Sequence, residues 1–112
     1  MLSLDKARKL AQVLDNKKAM DTKIICIKDI SVLADYFVIA TGTGNTHVSA
    51  LADEAEFQLK QEGVSPARIE GHRSNSWILM DYETVIVHIF SPEAREFYGL
   101  DRLWQGGEEI SL

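Results

Sequence analysis

The stretch from Asn75 to Phe90 leaves this chain the fewest structural alternatives. Its two apolar runs, Trp77-Ile78-Leu79-Met80 and Val85-Ile86-Val87-His88-Ile89-Phe90, are rich in β-branched and aromatic residues and flank Asp81-Tyr82-Glu83-Thr84. That pattern predicts an antiparallel hairpin with a short polar turn. With Tyr82-Glu83 as a two-residue loop, Asp81 faces Thr84, Leu79 faces Ile86 and Trp77 faces His88. Side chains alternate across a strand, so these pairs share one face, with Phe90 further along it. The opposite face carries Ile78, Met80, Val85, Val87 and Ile89 and reads as core. The first face mixes Trp, His, Phe and Asp, a composition closer to a recognition surface than to an interior.

At 112 residues the chain forms one small domain over 1–112, with a single modest core. It has no long apolar run and no basic-then-apolar leader, which predicts neither a membrane-spanning helix nor a signal peptide. A lone cysteine, Cys26, fits a reducing cytoplasm, since it has no internal partner. The formal net charge is -5. Nucleic-acid binding requires clustered Lys and Arg, so direct binding to a phosphate backbone is not expected. The same charge favours encounter with a basic protein surface.

Taken in order, residues Ser3 to about Lys18 read as a helix with Ser3 as N-cap, Asp5 in the first turn and Lys17 and Lys18 near the end. Leu4, Ala7, Leu10, Ala11 and Leu14 form its apolar stripe. Lys23 to Lys28 and Tyr36 to Thr41 read as strands, joined by a connection over Asp29 to Asp35. Gly42-Thr43-Gly44-Asn45-Thr46 leads into the longest helix, whose Val48, Leu51, Ala52, Ala55 and Leu59 lie on one face. Gly63 and Pro66 mark its end. Arg68-Ile69-Glu70 is a short edge strand. After the hairpin, Ser91-Pro92-Glu93 starts a brief helix that Gly99 interrupts. Leu100, Leu103 and Trp104 are expected to pack back as a last turn, and 105–112 to form a loose tail. The fold class is α/β in the α+β sense: a mixed sheet of about five strands, with the long helices on one face and the Trp77–His88 face partly uncovered.

The chemical motifs are weak. The Gly42–Thr46 turn runs from a strand into a helix N-terminus, where an anion can bind. His47 stands where a dinucleotide fingerprint has its third glycine, and no Walker lysine follows. A tight turn, with positive φ at glycine and a Thr or Asn cap, is the favoured reading. Metal-dependent nucleotidyl transfer needs two carboxylates alternating on a strand. Asp53 and Glu54 lie inside a helix, and Glu83 falls in the turn beside Asp81. His47, His72 and His88 lack metal-ligand spacing. Cys26 between isoleucines reads as a buried, inert thiol. No catalytic, cofactor-binding or metal-binding residue is assigned. His88 is either a half-buried strand histidine bonded to a neighbour or a contact residue. Trp77 is either core or the anchor of an interface, and its pairing with His88 off the aliphatic face favours the anchor. Such an anchor is worth roughly 2–4 kcal/mol in binding.

With these residues in view, the chain resembles the ribosomal silencing factor family, also called Iojap-like proteins, from about Leu4 to Trp104. The resemblance is carried by Ala34 to Thr43, by Trp77 to Tyr82, by Val85 to Phe90, and by Glu93 to Trp104. One departure is Glu83-Thr84, where the family often has Gly-Asp, which puts the turn type in question. The resemblance implies a nucleotidyltransferase-like fold without the catalytic carboxylates. It implies binding to the large ribosomal subunit through its ribosomal protein fourteen, which blocks joining of the small subunit and lowers translation when nutrients are scarce. Roles in large-subunit assembly occur among relatives, and free members self-associate as dimers. Carried over by position, Trp77 matches the family's aromatic contact. Asp81, His88 and Phe90 fall in the matching hairpin, and Arg95, Glu96 and Tyr98 in the helix after it.

Overall fold

The computed structural model describes residues 1–71, 73–100 and 106–111. Among the described residues three helices, α1 (Ser3–Asn16), α2 (Asn45–Gln61) and α3 (Pro92–Tyr98), accompany six strands: β1 (Met20–Cys26), β2 (Tyr36–Thr41), β3 (Arg68–Glu70), β4 (Trp77–Asp81), β5 (Val85–Phe90) and β6 (Glu108–Ile110). The sheet order is β3-β4-β5-β2-β1-β6. Neighbours pair antiparallel except β2 and β5, which run parallel in the middle. β2 is buried along its whole length, as its unbroken apolar run requires of a central strand covered on both faces.

The sixth strand corrects the expected count of five. Glu108–Ile110, read from sequence as part of a loose tail, pairs with β1, with Ile24 opposite Ile110. Three residues with one apolar side chain carry too little pattern to be read as a strand, and the exposed edge of β1 supplies the partner. His72, Leu103 and Trp104 lie outside the described residues.

α1 and α2 cover one sheet face. Their stripes, among them Ala7, Leu10, Leu14, Val48, Leu51, Ala55 and Leu59, pack on Ile78, Met80, Val85, Val87 and Ile89 in one large core. The other face is not left bare. α3 and the connection after β1 cover part of it, enclosing a second core of Ile25, Ile27, Ala34, Phe37, Ile39, Phe90 and Ala94.

Several local details depart from the sequence reading. Leu2, not Ser3, is the N-cap of α1, because the Ser3 hydroxyl donates instead to Asp35 Oδ2 at 2.8 Å. β1 begins at Met20, three residues early, through a register irregularity between Met20 and Lys23 where Asp21 has φ 48°. Lys17 caps the end of α1, and its amine pairs with Glu54 at 3.6 Å. Cys26 is half-buried because its neighbour on the outer side is the short β6.

The Gly42–Thr46 turn is tight for a reason other than the one expected. Gly44 is extended at φ -174°, and α2 has no side-chain cap from Thr or Asn. Gly42 is needed for close approach, since a Cβ there would sit 2.9 Å from both Val48 Cγ2 and the Val48 nitrogen. His47 reaches back from inside the helix, and its Nδ1 accepts from the Thr43 N–H at 2.8 Å. The Gly42 N–H donates to the Phe90 carbonyl at 2.8 Å. The N–H groups of Gly42 and Thr43 are therefore already engaged within the turn.

Candidate docking surface

The hairpin register places the aromatic residues. Trp77 pairs with Phe90, Leu79 with His88 and Asp81 with Ile86. The loop is Glu83-Thr84, with the Tyr82 N–H donating to the Val85 carbonyl at 2.9 Å, so the register differs from the sequence reading by two residues. A shift of two preserves the faces, where a shift of one would have exchanged them. Glu83 takes φ 70° and the Thr84 N–H donates to the Tyr82 carbonyl. Positive φ at only the first loop residue is the requirement that favours Gly there. Glu83 therefore holds a conformation that a glycine would adopt without strain.

On the mixed face, Trp77 is half-buried and sits diagonally above His88, its indole Nε1–H donating to His88 Nδ1 at 3.1 Å. The Trp77 ring lies 5.2 Å from Phe90 and 4.4 Å from Tyr98, centroid to centroid. His88 meets the edge of Phe37 at 4.8 Å. Phe90 is 0% exposed and His88 5%, so both support the surface from beneath. Burial of the imidazole disfavours its charged form and pulls its pKa down to about 4.

α3 carries the rest. Ser91 caps it by accepting from the Ala94 N–H, Pro92 occupies its first turn, and Gly99 ends it at φ 57°. Ala94 faces the sheet, and Tyr98, one turn on, lies over Trp77 and Phe90. Arg95 donates to Thr41 Oγ1 at 2.8 Å, which ties the helix to the end of β2. Glu96 is exposed. Asp81 stands apart at the far end of β4, paired with Arg68 at 3.5 Å and accepting from the Glu83 N–H. The structure thus gathers Trp77, His88, Phe90 and Tyr98 into one cluster, sets Arg95 and Glu96 beside it, and leaves Asp81 at the turn.

Sequence reasoning missed Phe97, which is 76% exposed and meets the Tyr98 ring at 5.1 Å, while Tyr98 is 45% exposed. The signal was a second aromatic residue beside Tyr98 in a helix of only seven residues, too short to bury both rings. It also missed a shallow pocket of about 220 Å³ beside Trp77, lined by Glu70, Gly71 and Leu79. Gly71 is required there: it has φ 95°, and a Cβ would meet the Trp77 carbonyl oxygen. Among the described residues, no three His, Cys, Asp or Glu side chains converge as a metal site, and no helix is long and apolar enough to cross a membrane.

A mixed-sheet α/β domain with an aromatic cluster at one end of its second face defines the class. The profile of the family described as "Ribosomal silencing factor during starvation" matches residues 2–112. Ribosomal silencing factor RsfS of Halalkalibacterium halodurans is 34% identical over 98 residues, covering 88% of this chain and 84% of that one. A crystal structure of a Chromobacterium violaceum protein superposes with a TM-score of 0.90 at 31% identity, covering 100% of this chain and 92% of that one. Mitochondrial assembly of ribosomal large subunit protein 1 of Mus musculus is 31% identical over 98 residues, 85% of this chain and 43% of that one. The chain belongs to the ribosomal silencing factor family.

Proposed function

We propose that this protein docks through the Trp77 surface onto ribosomal protein fourteen of the large ribosomal subunit, and in that position excludes the small subunit. The reading makes it a cytoplasmic, non-enzymatic repressor of translation under nutrient limitation. One observation carries it: Trp77 is half-buried, its indole tied from below by a hydrogen bond to His88, next to the exposed rings of Tyr98 and Phe97. Large aromatic side chains kept at a surface are the residues that dominate interface energies. The acidic balance of the chain suits a basic ribosomal partner. Arg95, Glu96 and, at the margin, Asp81 supply the polar rim, while His88 and Phe90 act through Trp77. The mechanism is steric. A patch of about 800 Å² suffices for specific binding, and the rest of the domain then fills space that the small subunit needs.

Co-sedimentation tests the proposal. Wild type travels with free large subunits and is absent from joined ribosomes. Trp77→Ala, still folded by circular dichroism, loses the association by roughly 30- to 1000-fold in affinity. A folded Trp77→Ala variant that binds as wild type does would refute the reading. The name of the mouse relative favours a second role in large-subunit assembly, which depletion followed by a profile of subunit precursors examines. We also propose that the free protein pairs with a second copy through this surface, so that large subunits compete with the dimer in analytical ultracentrifugation.

A further inference from the structure

His88 is a polar side chain in an apolar place. Its ring is 5% exposed and packs against Phe37, Phe90 and Trp77, with Leu79 opposite on β4 and Ile39 opposite on β2. A phenylalanine would fill this position without desolvating two ring nitrogens. Nε2 is buried with no hydrogen-bond partner among the described residues. Nδ1 has one, the Trp77 indole N–H at 3.1 Å. An indole only donates, so Nδ1 carries no proton and the ring is the neutral tautomer protonated at Nε2. Burial, which keeps the imidazole neutral down to about pH 4, preserves the acceptor at neutral and mildly acid pH. At this position the fold leaves Nε2 unsatisfied, and what it obtains is a single bond to the tryptophan of the docking surface.

We infer that His88 is a positioning residue: its Nδ1 holds the N–H edge of the Trp77 indole down against the sheet, and so fixes which edge and face of the ring a partner meets. The inference rests on the docking reading above. Without the acceptor, the indole is free to turn about χ2 between its wells, and binding must then order it. The ordering cost of one rotamer-rich side chain corresponds to an affinity loss of about 3- to 10-fold.

The test follows the indole Nε1–H signal of Trp77 by proton–nitrogen NMR, assigned by its loss in Trp77→Phe. In His88→Phe the domain still unfolds cooperatively, the indole N–H exchanges with water at least about tenfold faster, and large-subunit affinity falls by the factor given above. His88→Asn, whose amide oxygen sits near the place of Nδ1, restores part of the protection and part of the affinity. An indole N–H in His88→Phe that exchanges as slowly as in wild type overturns the inference. So does a wild-type nitrogen spectrum with the His88 proton on Nδ1, a measurement that decides the matter even if His88→Phe does not fold. If the indole behaves as stated while Trp77→Ala still co-sediments with large subunits, the docking reading has failed and the positioning of the ring has not.

Discussion

The imidazole of His88 titrates at about 4 in the folded protein against an ordinary value of 6.5, because burial disfavours its charged form. Between those values the unfolded chain binds more protons than the folded one, so stability rises with pH across this window. The contribution is present in full above about pH 7.5, erodes as pH falls through 6.5, and reaches about 3 kcal/mol of lost stability by pH 4. Urea unfolding checks this. Between pH 7.5 and 4.5, wild type should lose about 2–3 kcal/mol more than His88→Phe, which has no imidazole to charge. Equal losses in the two proteins would mean that the ring is more solvated than its surroundings indicate. At this scale the sequence was ambiguous. Alternation put His88 on the same face as Trp77, but nothing local indicated whether the ring was exposed or covered.

Among the elements, the β4–β5 hairpin shows how far local pattern reaches. Its two faces were legible because alternation survives a two-residue change of register, whereas the loop itself was misplaced by one residue. What placed it was the turn geometry at Glu83, where a non-glycine residue holds φ 70°. A left-handed conformation costs an ordinary residue roughly 1–2 kcal/mol, and glycine returns about 0.5–1 kcal/mol of that as unfolded-state entropy. Glu83→Gly should therefore raise stability by about 0.5–1 kcal/mol, seen as a higher Tm with an unchanged denaturant m-value. A lower Tm would show that the Glu83 side chain contributes something that the turn geometry does not account for. α3 illustrates the same limit: its caps were plain from Ser91, Pro92 and Gly99, but its seat over β5 was not.

Across the whole molecule, the sheet separates two tasks. The face under α1 and α2 supplies most of the buried apolar surface, while the face under α3 presents the aromatic cluster. Substitutions on the two sides should therefore differ in kind. Leu51→Ala, in the large core, costs about 2–5 kcal/mol of stability and leaves the affinity of the folded fraction for large subunits unchanged. Phe97→Ser removes an exposed ring, changes stability by no more than about 0.5 kcal/mol, and weakens docking severalfold. Chemical denaturation paired with quantitative co-sedimentation separates the two effects. A destabilised Phe97→Ser, or a Leu51→Ala that binds poorly even when fully folded, would contradict this division.

The sequence by itself determined the apolar stripes of α1 and α2, the extent of β2, and the contrast between the two hairpin faces. Each of these is a periodic property of one segment, set by backbone geometry that repeats within a few residues. Tertiary structure alone decided that β6 joins the sheet, that α3 closes over Trp77 and Phe90, and that Phe97 stays outside. Those outcomes depend on which surfaces meet after collapse, and a contact between distant segments leaves no periodic mark in either one.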